Sequence, residues 1–147
     1  MSIFAENLVD LDLQVTDKEQ VIRKLAALVV AAGRGTDLDQ IVSDVLARDE
    51  MGTPQVEGVA IPHARTAGVN TASVAVGRTS GVVFDEEEGP ADTIFMILVP
   101  ESATDEHITI LSGLARRLMN PDFTAFLRHA GTAAELASAL GEGDSTS

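Results

Sequence analysis

No stretch of the chain restricts its architecture more than residues 93–99, Thr-Ile-Phe-Met-Ile-Leu-Val, closed by Pro100. A continuous apolar run of this length leaves no polar face for water. It fits a strand covered on both faces, in the middle of a sheet. It is too short to cross a bilayer. Layers must therefore lie above and below this strand, and the flanking sequence supplies helices for them.

Val9, Leu11, Leu13 and Val15 alternate with polar residues, the period of a half-buried strand. Thr16 and Glu19 have the spacing of a capping box for a helix with Val21, Ile22, Leu25, Leu28, Val29 and Ala32 on one face. Gly33 and Gly35 close it. A second helix opens at Thr36, with Asp37 and Asp39 in its first turn. Its apolar face is Leu38, Ile41, Val42, Val45 and Leu46, and it ends near Arg48 to Gly52. Gly52, Pro54 and Gly58 mark a loop, and Val59 and Ile61 begin a strand that Pro62 interrupts. Ser73 to Thr79 is another strand, which Gly81 is expected to turn into Val82–Phe84. Asp85 to Glu88 reads as an exposed acidic turn.

Three helices follow the apolar run. The first spans about Asp105 to Met119, with Ile108, Leu111, Ala115 and Leu118 as its stripe. Asn120 and Pro121 stop it and start the next. Thr132 and Glu135 cap the last, which turns Leu136 and Leu140 inward. The order is β-α-α-β-β-β-α-α-α, an α/β chain with helices on both faces of a mixed sheet. One domain is expected over residues 1–141, with a disordered tail over 142–147, which lacks an apolar anchor. The 147 residues are 45% apolar, enough for one sizeable core.

Composition removes several functions. There is no Cys, so disulfides and thiolate chemistry are excluded, and a nucleophile must be His, Ser, Thr or a carboxylate. The formal net charge of −13 repels nucleic acid and anionic membrane surfaces and favours partners with a basic or partly apolar face. The first ten residues have neither the basic nor the apolar segment of a signal peptide, so a soluble cytoplasmic protein is expected. No GxxxxGK[ST] loop is present, which argues against direct use of ATP. No HExxH or HxH pattern occurs, and neither a metal nor any other cofactor is expected.

Three histidines remain. His63 follows Pro62, so its ring is displayed on a stiffened backbone where a strand breaks. By position alone such a histidine is more often structural than catalytic. His107 lies in the opening turn of a helix, where free N–H groups and partial positive charge favour neutral imidazole and a nearby anion. His129 sits at the end of a short helix, where a structural reading is favoured. Arg48, by default, is a solvated cation at a helix C-terminus.

The strings LARDEMGT, GVAIPHAR, GPADTIFMILVP and DEHITILSGLARRLMNPDF resemble the type 2 enzyme IIA domains of the fructose–mannitol class, from the bacterial phosphoenolpyruvate-dependent sugar phosphotransferase system. The resemblance runs from about Leu8 to Leu140 and includes the order of elements. It implies a three-layer α/β/α sandwich on a mixed sheet. It makes His63 the phosphorylated residue, His107 a second histidine beside the phosphate and Arg48 an arginine at the site. Thr53 matches a polar, phosphate-stabilising residue, although MGTPQVEG stands where the family more usually has a glycine-rich loop. It also implies the phosphocarrier protein HPr as donor and a cysteine of enzyme IIB as acceptor. The nitrogen-related enzyme IIA, a regulator of the same fold, is the alternative. A binding module with an unused histidine is a third.

Residue chemistry suits a relay. Imidazole is largely neutral at cytoplasmic pH, and its P–N bond is labile enough to pass the group on, unlike a serine phosphate. Phosphoryl transfer has a loose transition state, so donors such as Arg48 and His107 would act mainly by position and charge.

Overall fold

The computed structural model describes residues 4–56, 58–102 and 106–144. Its mixed sheet has six strands: β1 (Val9–Asp10), β2 (Gln55–Val56), β3 (Val59–Ala60), β4 (His63–Thr66), β5 (Ser73–Asp85) and β6 (Gly89–Pro100). They lie in the order β1-β5-β6-β3-β2, with β4 also paired to β6. β5 and β6 form a long antiparallel hairpin, while β1 runs parallel to β5 and both β3 and β4 run parallel to β6. One face carries α1 (Lys18–Ala31) and α2 (Leu38–Asp49), the other α3 (Glu106–Leu118), α4 (Pro121–His129) and α5 (Ala133–Asp144). The expected α/β/α sandwich on a mixed sheet is the observed architecture.

Ile94 to Val99 are all fully buried, as their lack of a polar face requires. Alternation divides them between two cores. Ile94, Met96 and Leu98 join Ala60, Ala64, Ala75 and the apolar faces of α1 and α2. Phe95 and Ile97 join Val59, Ile61, Val74, Val76 and the buried residues of α3, α4 and α5.

Several boundaries differ from the pattern reading. The alternating segment 9–15 pairs as a strand only at Val9–Asp10, before which Glu6–Leu8 form a 3-10 turn. The Asp10 carboxylate takes the Asp12 N–H at 2.9 Å and so draws the backbone out of the ladder. The α1 cap falls one residue later than expected. Asp17 is the N-cap and accepts from Gln20 N–H, while Gln20 Oε1 accepts from Thr16 N–H. Asp caps better than Thr, and the Gln20 side chain reaches back to the residue before the cap. α2 likewise starts from Asp37, which accepts from Gln40 N–H. Asn120–Pro121 and Thr132 cap α4 and α5 as their spacing indicates.

Gly81 does not end a strand. It adopts φ 130° inside β5, where the pairing jumps from Arg78–Thr93 to Val82–Ala91. A positive-φ glycine serves a bulge as well as a turn, and composition alone does not separate the two. On α3 the buried stripe is Leu114 and Leu118, with Ile110 partly buried. The side chains of Ile108, Leu111 and Ala115 lie outside the described residues, as do residues 103–105, on which the expected start of that helix falls. α5 continues to Asp144, and residues 145–147 of the expected tail are outside the described set.

Candidate functional site

His63 owes its position to a strand with one gap. Val59 pairs with Thr93 and His63 with Ile97, the same register offset on both sides of Ile61–Pro62. β3 and β4 are thus one line of backbone along β6, interrupted where Pro62 lacks an N–H. The Pro62 carbonyl still accepts from Ile97 N–H at 3.0 Å. Because His63 shares the face of Ile97, its ring lies on the side covered by α3, α4 and α5.

The residue is 5% exposed, and its Nδ1 stands 3.0 Å from the Ile61 carbonyl oxygen. A carbonyl only accepts, so Nδ1 carries the proton, and in the neutral ring the lone pair belongs to Nε2. The backbone of the same strand therefore sets both the tautomer and the tilt of the ring.

The segment after α2 reaches this point through the β2–β3 hairpin. Gln55 pairs with Ala60 and Val56 with Val59, and one step further Pro54 O accepts from Ile61 N–H at 2.9 Å. Gly52 makes the turn out of α2 at φ 101°, a region that favours glycine. Arg48 Nη1 closes the turn by donating to Gly52 O at 3.0 Å. The Thr53 hydroxyl donates to Asp49 Oδ1 at 2.5 Å. The fold thus brings the Arg48–Pro54 segment alongside Ile61, two residues before His63.

His107 is the second residue of α3, and α3 packs against β4 and β6, so its backbone lies on the His63 face of the sheet. The His107 side chain is outside the described residues. His129 is exposed on the last turn of α4, where positive charge suits the helix end. No three His, Asp or Glu side chains converge on a metal-sized site among the described residues.

Two side chains at this end escaped the sequence reading. Asp49, with a side chain 6% exposed, accepts from Lys18 Nζ at 2.5 Å on the oxygen that Thr53 leaves open. Lys18 also donates to Phe84 O in the β5–β6 hairpin at 3.4 Å. Asp49 lies within the quoted string LARDEMGT, directly after Arg48. Lys18 carries no local signal, because its partner is on another helix. Elsewhere, burial lowers the Arg34 guanidinium from its ordinary value; it points to Ser73 Oγ at 3.5 Å, on the α1–α2 face.

With this fold and site in view, the comparisons with known proteins agree. The chain belongs to the family described as phosphoenolpyruvate-dependent sugar phosphotransferase system, EIIA 2, whose model matches residues 2–142. Proteins of this family act in phosphotransfer. The fructose-specific EIIA component of Haloferax volcanii is 40% identical over 118 residues, covering 78% of this chain and 77% of that protein. The solved nitrogen regulatory protein IIA-Ntr of Neisseria meningitidis superposes with a TM-score of 0.84 at 31% identity, covering 94% of this chain and 96% of that one. Mannitol enzyme IIA, solved in complex with phosphorylated mannitol enzyme IIB from Escherichia coli, gives a TM-score of 0.75 at 25% identity, covering 92% of this chain and 94% of that one.

Proposed function

We propose that this protein is a cytoplasmic phosphocarrier of a fructose-type sugar phosphotransferase system, with His63 as the phosphorylated residue. The observation that carries the reading is the hydrogen bond from Nδ1–H to Ile61 O at the Pro62 break. It reserves Nε2 as the nucleophile. Nε2 attacks the phosphorus of phospho-HPr, the bond to the donor breaks, and its electron pair returns to the donor. The phosphoryl group is then held on Nε2 while Nδ1 keeps its proton. A cysteine thiolate of enzyme IIB next attacks the phosphorus, and the lone pair returns to Nε2. The cysteine belongs to the partner, since this chain has none.

Arg48 and His107 are the assigned donors to the equatorial oxygens, where a loose transition state carries charge. Arg48 supplies a fixed positive fork from the end of α2, and His107 stands in the opening turn of α3. Acidic side chains attract a basic face on the donor. Incubation with phosphoenolpyruvate, enzyme I and HPr tests the assignment. Wild type takes up acid-labile phosphate and His63→Ala does not. Equal labelling of both would overturn it.

The 0.84 superposition on a nitrogen regulatory protein favours a second reading, in which phosphorylation of His63 controls binding to target proteins without sugar transport. A chase separates the two. Movement of label from this protein to a fructose-type enzyme IIB, and then to sugar, supports the carrier; retention on His63 supports the regulator.

A further inference from the structure

We propose that Asp49 and Lys18 are positioning residues for phosphoryl transfer, and that Thr53 serves the site by anchoring its loop rather than by donating to phosphate. The inference rests on the reading of His63 as the phosphorylated residue.

A carboxylate withdrawn from water is tolerated only when its oxygens are engaged. Asp49 meets that condition with one partner on each oxygen. Lys18 Nζ is on Oδ2 and the Thr53 hydroxyl on Oδ1. A threonine hydroxyl has a single proton. While that proton lies on Asp49 at 2.5 Å it is not available to a phosphoryl oxygen. What Thr53 passes on is the position of the residue after it. Pro54 O holds Ile61 N–H at 2.9 Å, and Ile61 O holds His63 Nδ1 at 3.0 Å. A connected path therefore runs from the first residue of α1, through the end of α2 and the turn, to the ring of His63. Lys18 fastens its outer end twice, to Asp49 and to Phe84 O.

Single-turnover transfer from phospho-HPr, with donor concentration varied, tests the path in the full-length protein. Asp49→Asn and Thr53→Val should each lower the limiting rate by about 10- to 100-fold, the scale of a small misplacement, without changing the half-saturating donor concentration. The double variant should be no slower than the slower single one, and Thr53→Ser should restore the wild-type rate. Lys18→Gln should shift the limiting rate in the same direction. A Thr53→Ser protein as slow as Thr53→Val, or losses that multiply in the double variant, would overturn the proposal. If Asp49→Asn does not fold, the Thr53→Val and Thr53→Ser pair decides.

Exchange of the Ile61 amide gives a readout that needs no phosphate. It should be faster in Thr53→Val than in wild type and return to the wild-type rate in Thr53→Ser. Unchanged exchange overturns the path. Failure of wild-type His63 to take label, with the exchange pattern as expected, overturns the phosphocarrier reading alone.

Discussion

A ring tethered to a carbonyl two residues upstream has little freedom to rotate, and at His63 that restraint governs which nitrogen is basic. The groups assigned to meet the phosphate lie at helix ends. Arg48 has a carbonyl partner in the turn that follows it, and the backbone of His107 lies in the first turn of α3. Arg48→Ala and His107→Ala should therefore leave the fold intact, as checked by circular dichroism. Each should slow transfer by roughly the 10² to 10³ typical of one lost transition-state donor. Wild-type rates in both would remove them from the site. His63 was legible in the sequence because Pro62 and the surrounding string mark it. Asp49 and Lys18 were not, since an ion pair between two helices has no local pattern. The Thr53 hydroxyl was legible as polar, but its direction depends on Asp49 one helical turn back.

The helices and their order could be read from period and caps, because both are local. The strands were harder wherever a local signal had two uses. Asp17 and Thr16 both resemble a cap, and the stronger acceptor takes the position. Gly81 fits a turn or a bulge, and the long partner strand β6 decides for the bulge. Contacts between elements left no trace in either period. Arg78 of β5 sends one nitrogen, Nη1, to the carbonyls of Leu127, Arg128 and Ala130 at 3.3, 3.4 and 2.8 Å. These lie at the C-terminal end of α4, where intrahelical partners run out and a cation is favoured. Arg78→Met should cost about 1.5–3 kcal/mol, the scale of hydrogen bonds to a charged group. The amides of the last turn of α4 should also exchange faster. Urea unfolding checks the first effect and hydrogen exchange the second; a variant as stable as wild type would show that these contacts contribute nothing.

Across the whole molecule, two cores share one strand, because Phe95 and Met96 of β6 are neighbours that fill opposite sides of the sheet. Both are fully buried. Phe95→Ala should lose about 3–5 kcal/mol and Met96→Ala about 2–5 kcal/mol, and neither should split the transition, since both cores depend on β6. With no Trp or Tyr in the chain, far-ultraviolet dichroism during urea unfolding is the suitable probe. Separate melting of the two faces in either variant would show that the layers are independent. The line β3–Ile61–Pro62–β4 has a further consequence. On the α3–α5 side it presents Val59 and Ile61, and on the α1–α2 side it presents Ala60 and Ala64. A slip of one residue would exchange these sets, pressing branched side chains into space shaped for methyl groups and turning His63 to the opposite layer. The bulk of its neighbours is thus a proofreading device for the histidine. Insertion or deletion of a single residue along this line should silence the protein even where every residue of the site is retained.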